Sequence, residues 1–132
     1  RDAKLTAVLL KRYQKMNGNL KAIYTSPYYR CSKTAELINK YVKVPITRDD
    51  RLNEMNISGG ESWLSLQKRV RECLTDILNS FTENDCVVCV TSGVNIAGFI
   101  SLAYKLKPSD STPFITMPSC SPIVFEIDKS CL

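Results

Sequence analysis

The sequence predicts a three-layer α/β/α sandwich around a mostly parallel sheet, and three observations lead to this fold class. Short apolar runs alternate with longer amphipathic segments, as they do in α/β proteins. The run at residues 86–90 is continuously apolar, which is typical of a parallel strand covered on both faces. With 132 residues, of which 44% are hydrophobic, the chain suits a single domain over residues 1–132 with one core.

The first half of the chain is expected to supply two helices and two strands. Thr6 is placed to cap a helix whose apolar residues lean to one side and which stops at an Asn-Gly pair. Residues 22–25 are typical of a short buried strand, which a Ser-Pro pair then breaks. A second helix ends before Pro45, and residues 46–48 are expected to form another short strand.

The second half opens with the clearest helix of the sequence. Apolar residues recur at steps of three and four from Trp63 to Phe81, and the opposite face is charged. Trp63 itself is expected to pack in the core or against another helix. After the strand at 86–90, a helix is predicted over residues 94–106 and a closing strand over residues 123–127.

The net charge of the sequence and the length of its apolar stretches indicate which classes of ligand the protein can bind. The formal net charge is +5, but the basic residues are spread along the chain among acidic ones, so no basic tail emerges. A surface of this kind suits anionic small molecules, and nothing in it indicates nucleic acid. The longest apolar stretch is too short to span a bilayer, so we expect a soluble protein with no membrane partner.

The six cysteines are scattered and lie mostly in apolar segments, which favours reduced core thiols in a cytoplasmic protein. Cys86 and Cys89 form a CxxC pair, but an offset of three within a strand places the two side chains on opposite faces. The sequence holds no histidine and no second closely spaced cysteine pair, so a zinc site would lack ligands. We therefore expect neither a metal nor a cofactor.

Three segments, taken in chain order, resemble the histidine phosphatase superfamily, which includes cofactor-dependent phosphoglycerate mutases and many small phosphatases. Residues 24–30, Tyr-Thr-Ser-Pro-Tyr-Tyr-Arg, and residues 33–36, Lys-Thr-Ala-Glu, are similar to the family's Ser-Ser-Pro turn, arginine and Gln-Thr-Ala-Glu helix. Leu-Asn-Glu at 52–54 and Gly-Gly-Glu-Ser at 59–62 are similar to its Leu-x-Glu and Gly-Glu-Ser segments. Residues 87–94 resemble the strand that ends in Ser-His-Gly.

The resemblance implies roles for four residues. Arg30 takes the place of a phosphate-binding arginine, whose planar fork pairs with two phosphate oxygens. Glu54 matches the acid position, which holds or releases the proton of the leaving alcohol. Ser92 stands at the position of the second catalytic histidine, and Ser92 and Gly93 together are expected to contact phosphate. We expect these groups to converge on one anion-sized cleft at the carboxyl ends of adjacent parallel strands.

The departures from the family concern its catalytic histidines. The family's nucleophile lies in an Arg-His-Gly motif at the end of its first strand, and the sequence given contains neither that motif nor any histidine. The resemblance thus implies an N-terminally incomplete domain whose first strand is missing. Ser92 can donate a hydrogen bond, but it carries no charge and does not titrate near neutrality as imidazole does.

Three functions remain open from the sequence. In the first, the chain is a degenerate relative, a pseudoenzyme that binds phosphate, a small phosphorylated metabolite or a phosphorylated protein without chemistry. In the second, it is a piece of an active phosphomonoester phosphatase or mutase whose nucleophilic histidine lies upstream. In the third, it is a non-catalytic structural or protein-interaction domain. We favour the first for the chain as written.

Overall fold

The computed structural model describes residues 2–17, 19–56, 58–82 and 84–103, which form helices and strands in alternation. In chain order these are α1 (Asp2–Asn17), β1 (Leu20–Thr25), α2 (Tyr29–Val42), β2 (Ile46–Arg48), a 3-10 turn (Asp50–Leu52), α3 (Trp63–Ser80), β3 (Cys86–Val90) and α4 (Gly93–Ala103). The predicted strand at 123–127 and the end of the last predicted helix lie outside the described residues. No helix within the described ranges has both the length and the apolar character needed to cross a membrane.

The described strands form a parallel sheet in the order β2-β1-β3. Thr25 at the end of β1 pairs with Arg48 of β2 on one side and with Val90 of β3 on the other, so the three strands finish at one edge. Helix α2 connects β1 to β2, and α3 lies on the connection from β2 to β3. Two parallel strands can be joined only by a crossover connection, which is usually a helix. The parallel sheet therefore explains why helices and strands alternate along the sequence.

Helices cover the two faces of this sheet with two separate apolar clusters. The first cluster joins α1 and α2 to one face and contains Ala7, Leu20, Ile23, Ala35, Ile38 and Val42. The second joins α3 and α4 to the other face and contains Leu52, Leu66, Val70, Cys73, Leu74, Ile77, Phe99 and Leu102. The three-layer α/β/α prediction is therefore confirmed, but the expectation of one core was wrong, because a two-sided sheet divides the apolar residues between its faces.

Strand β3 shows how the sheet divides its side chains. Cys86 packs with the first cluster and Cys89 with the second, as the offset of three predicted. Each of the five residues is half-buried, however, whereas continuous apolar character predicted full burial. Among the described residues β3 pairs only with β1, so its other edge has no described strand beside it.

Capping residues set the start of α3 but not the start of α1. Ser62 caps α3, because its hydroxyl accepts a hydrogen bond from Ser65 N at 3.1 Å. The predicted cap at Thr6 was wrong: α1 begins at Asp2, and Thr6 is a buried residue inside it. Residues 3–5, Ala-Lys-Leu, are strong helix formers, and their propensity extends the helix past the capping signal. Trp63 packs against the second cluster as predicted.

Candidate functional site

Two helices begin at the edge where β1 and β3 end. The chain leaves β1 at Thr25 and starts α2 at Tyr29, and it leaves β3 at Val90 and starts α4 at Gly93. Ser26 N donates to Val90 O at 3.0 Å, which extends the pairing of the two strands into the turns that follow them. The N-termini of α2 and α4 therefore lie at neighbouring positions on one edge of the sheet.

These two helix starts are electrostatically open to an anion. Neither has an acidic residue in its first turn, and α2 has no side-chain cap. The first N–H groups of a helix have no partner inside it, and the aligned peptide dipoles leave partial positive charge at this end. An anion at such an edge receives both the N–H donors and the favourable potential.

Arg30 adds a full positive charge beside this edge. It lies in the first turn of α2, is exposed, and forms no ion pair with any described residue. Three other arginines bind carboxylates instead: Arg48 pairs with Glu36, Arg51 with Asp49 and Asp76, and Arg69 with Glu61. The guanidinium of Arg30 is thus not neutralised by a carboxylate of the described residues.

Ser92 and Gly93 form the turn from β3 into α4. The Ser92 hydroxyl oxygen is buried and has no hydrogen-bond partner among the described residues, although Ser92 O accepts from Ile96 N at 3.0 Å. Gly93 is exposed, and a Cβ added to it would meet no atom within 4 Å. The space over the start of α4 is therefore open, and an unpaired hydroxyl lies next to it.

Glu54 reaches the same edge through a hydrogen-bonded loop. Thr91 Oγ1 donates to Leu52 O at 2.6 Å, and Asn95 Nδ2 donates to Asn53 O at 2.6 Å. Ser26 Oγ donates to the Asn53 side-chain oxygen, also at 2.6 Å. These three bonds hold the residues just before Glu54 against the ends of β1 and β3. The exposed carboxyl of Glu54 forms no ion pair with a described residue.

The structure thus brings the segments that carry all four predicted site residues to one edge of the sheet. Sequence reasoning missed the polar residues that hold these segments together, which are Ser26, Asn53, Thr91 and Asn95. Asn95 carried a signal that could have identified it, because it is a polar residue in the first turn of a mostly apolar helix. It is fully buried, and its Oδ1 has no hydrogen-bond partner among the described residues.

A second polar cluster, formed by Asp49 and Arg51, lies next to the site, and the charges of these two residues neutralise each other. Asp49 N donates to Thr25 O at 2.9 Å, and the Asp49 carboxylate accepts from Arg51 Nη2 at 2.7 Å. The hydrogen bond from Arg51 lowers the pKa of Asp49 below its ordinary value. Burial and the charge of Asp49 raise the pKa of Cys73 to about 12. Burial and the nearby Cys73 raise the pKa of Cys89 to about 12. Both thiols are therefore protonated and poor nucleophiles.

A surface depression of about 410 Å³ lies beside this cluster, away from the predicted site. It is lined by Arg51, Arg71, Glu72, Thr75 and Asp76, and includes neither Arg30 nor Ser92. Its two arginines face two acids, and Arg51 is already paired, so it offers an anion no excess positive charge. In the described part of the chain, no group of three histidine, cysteine, aspartate or glutamate side chains could hold a metal ion.

Comparison with known proteins identifies a family and a fold. A sequence model of the histidine phosphatase superfamily (branch 1) matches residues 4–58 and 56–131. A search of curated protein sequences found no match. Among solved structures, mycobacterial glucosyl-3-phosphoglycerate phosphatase in complex with VO3 is similar with a TM-score of 0.74 and 20% identity, over 87% of this chain and 70% of that chain. Bacillus stearothermophilus YhfR is similar with a TM-score of 0.65 and 19% identity, over 96% of this chain and 73% of that one.

Proposed function

The chain belongs to the histidine phosphatase superfamily, and on that premise we propose that it binds phosphate or a phosphorylated ligand between the N-termini of α2 and α4 without turning it over. The observation that carries the proposal is the pair of helix starts, free of acidic first-turn residues, at one edge of a parallel sheet. Two such termini, together with the unpaired guanidinium of Arg30, favour a group with several negatively charged oxygens.

Each residue of the proposed site has a separate role. Arg30 neutralises the charge of the anion and donates to two of its oxygens. The open space at Gly93 lets an oxygen approach the backbone N–H groups of α4, and the buried hydroxyl of Ser92 donates a further bond. Glu54 supplies the only acid of the proposed site and is held there by the bonds to Leu52 and Asn53.

The proposed absence of turnover follows from the chemistry of phosphoryl transfer to histidine. That reaction needs an imidazole nucleophile, and the sequence given holds no histidine. Ser92 has no described base beside it to accept its proton, and replacing a charge-stabilising donor typically costs about 2.7 to 4 kcal/mol of transition-state stabilisation. Glu54 alone can hold a proton for a leaving group, but it cannot replace the histidine that forms the phosphohistidine intermediate.

The ligand class is proposed as a small phosphorylated metabolite. The mycobacterial neighbour is a phosphatase of glucosyl-3-phosphoglycerate, which is a small molecule of this type. A phosphorylated protein is the alternative within the same chemistry, and we propose no nucleic-acid or membrane partner. The free thiols of Cys73, which is buried, and of Cys89, which is half-buried, suit a reducing compartment, so we propose the cytoplasm as its location.

The test is thermal stabilisation by inorganic phosphate. Phosphate at ten times its dissociation constant stabilises the folded state by about 1.4 kcal/mol, which a melting curve resolves. We expect millimolar phosphate to raise the melting temperature of the wild type and of Arg12→Ala, which removes an exposed arginine from α1. The shift should be lost in Arg30→Ala. A shift that survives in Arg30→Ala would refute the site.

Two alternatives are separated by a second assay. If the chain is part of an active phosphatase whose nucleophile lies upstream, a protein carrying that segment should hydrolyse an aryl phosphate, and Ser92→His should raise its rate. If the chain is an interaction domain without a phosphate site, phosphate should change neither the wild type nor Arg30→Ala. The proposed function instead predicts binding without hydrolysis for the chain as given.

A further inference from the structure

Two exposed tyrosines lie at the start of α2, Tyr28 at its cap position and Tyr29 as its first residue. Tyr28 is 55% exposed and Tyr29 is 81% exposed. Tyr24 and Tyr41, by contrast, are partly buried and pack against the two apolar clusters. A large aromatic side chain left in water forgoes the free energy of burial, so an exposed adjacent pair of them next to a proposed binding site calls for an explanation.

Hydrogen bonds fix the backbone conformation at this tyrosine pair. Tyr28 N donates to Ser26 Oγ at 3.3 Å, and the same hydroxyl donates to the Asn53 side chain at 2.6 Å. Tyr28 O accepts from Ser32 N at 2.9 Å, which closes the first turn of α2. The rings are thus carried on a fixed turn, and each tyrosine has only two side-chain torsions to order when a ligand binds.

Neither tyrosine side chain forms a hydrogen bond that would stabilise the described part of the fold. Tyr28 occupies the cap position of α2 but makes no side-chain cap bond. Neither tyrosine hydroxyl forms a hydrogen bond with a described residue. Lys33 follows Tyr29 by four residues on α2, so the tyrosine ring and a positive charge are neighbours on the helix surface, and Arg30 lies in the same first turn.

From this adjacency, and resting on the proposed phosphate site, we infer that Tyr28 and Tyr29 form a platform for the organic part of the ligand, and that the preferred ligand is a small aryl phosphomonoester. Its phosphate binds at Arg30 and the two helix starts, while its ring packs on the tyrosine pair. Aromatic rings gain from packing on one another beyond the area they bury, because their charge distributions are complementary in offset or edge-to-face geometry. An aliphatic phosphate of equal charge lacks that gain.

The experiment measures dissociation constants by calorimetry for inorganic phosphate, phenyl phosphate and glycerol phosphate on the full chain. We expect the wild type to bind phenyl phosphate about fivefold more tightly than glycerol phosphate, in the range that aromatic pairs supply. Tyr29→Ala should remove this preference and leave the constant for inorganic phosphate unchanged. Tyr29→Phe, which keeps the ring, should retain the preference, as should Leu9→Ala, which trims an apolar side chain of α1 that is 44% exposed.

The outcomes distinguish this inference from the function it rests on. If the wild type binds inorganic phosphate but treats the phenyl and glycerol esters alike, the platform is refuted and the phosphate site stands. The platform is also refuted if Tyr28→Ala and Tyr29→Ala both keep the preference. If the wild type binds none of the three ligands, the proposed function fails and the platform with it.

Discussion

Replacing Arg69 with alanine is expected to destabilise the fold by about 2 to 3 kcal/mol, because the guanidinium binds three oxygens in a mostly buried position. Arg69 Nε and Nη2 donate to the Glu61 carboxylate at 2.7 and 3.0 Å, and Nη1 donates to Arg51 O at 2.7 Å. Only 19% of the Arg69 side chain and 15% of that of Glu61 are exposed. The pair joins α3 to the loop that follows Glu54.

The magnitude lies between two limits. Breaking a fully buried ion pair costs about 3 to 5 kcal/mol, and an exposed pair is worth about 0 to 1 kcal/mol. Because Arg69 and Glu61 remain partly exposed, the free-energy cost of breaking their pair should lie below that of a fully buried pair. Arg48 and Glu36 form the matched exposed pair, with 46% and 49% of their side chains exposed, so Arg48→Ala should cost less than about 1 kcal/mol.

The assay is urea unfolding followed by the fluorescence of Trp63, the only tryptophan of the chain. Arg69→Ala should lower the free energy of unfolding clearly more than Arg48→Ala, and its melting temperature should fall by about 6 to 10 °C. The reasoning fails if the two variants lose the same stability. It also fails if Arg69→Ala and Glu61→Gln show additive losses, since residues that bind each other must couple.

Three further predictions concern acid stability, thiol reactivity and the buried amide. The hydrogen bond from Arg51 lowers the pKa of Asp49, and the hydrogen bond from Arg69 lowers the pKa of Glu61. Both carboxylates therefore stabilise the fold at a pH above their unfolded pKa values, and this stabilisation is lost as the pH falls through their folded pKa values. Urea midpoints measured from pH 7 downward should decline accordingly. Cys73 should resist a thiol reagent at pH 8 until the protein is unfolded, and faster labelling in the native state, read by mass spectrometry, would contradict its burial. Asn95→Ala should cost about 1 to 3 kcal/mol by urea unfolding, because it leaves the Asn53 carbonyl without its donor, and a neutral result would show that water replaces the amide.

The order of elements could be predicted because it follows from local patterns. Spacings of three and four identified α3, and the residues that the pattern placed inward, such as Leu66 and Val70, are fully buried. The same patterns misplaced the start of α1, since helix propensity before Thr6 outweighed its capping signal. Chain length and hydrophobic content suggested one core, because neither quantity shows which face of the sheet an apolar residue covers.

The predicted site residues came from resemblance, whereas the partners in the bonds that hold their segments in place could not be predicted from the sequence. Ser26 and Asn53 are 27 positions apart, Leu52 and Thr91 are 39 apart, and Asn53 and Asn95 are 42 apart. Hydrogen bonds over such separations depend on the sheet order, which the sequence alone did not supply. Once β1 and β3 are known to be neighbours, the convergence of their carboxyl ends follows directly.

Anion binding where α2 and α4 begin is tested without mutation by a phosphate titration of the whole chain followed by amide NMR shifts. We predict saturable shifts concentrated at the amides of residues 29–31 and 92–94, which are lost in Arg30→Ala. Shifts centred instead on the depression lined by Arg51 and Arg71, or no saturable shifts at all, would contradict the account.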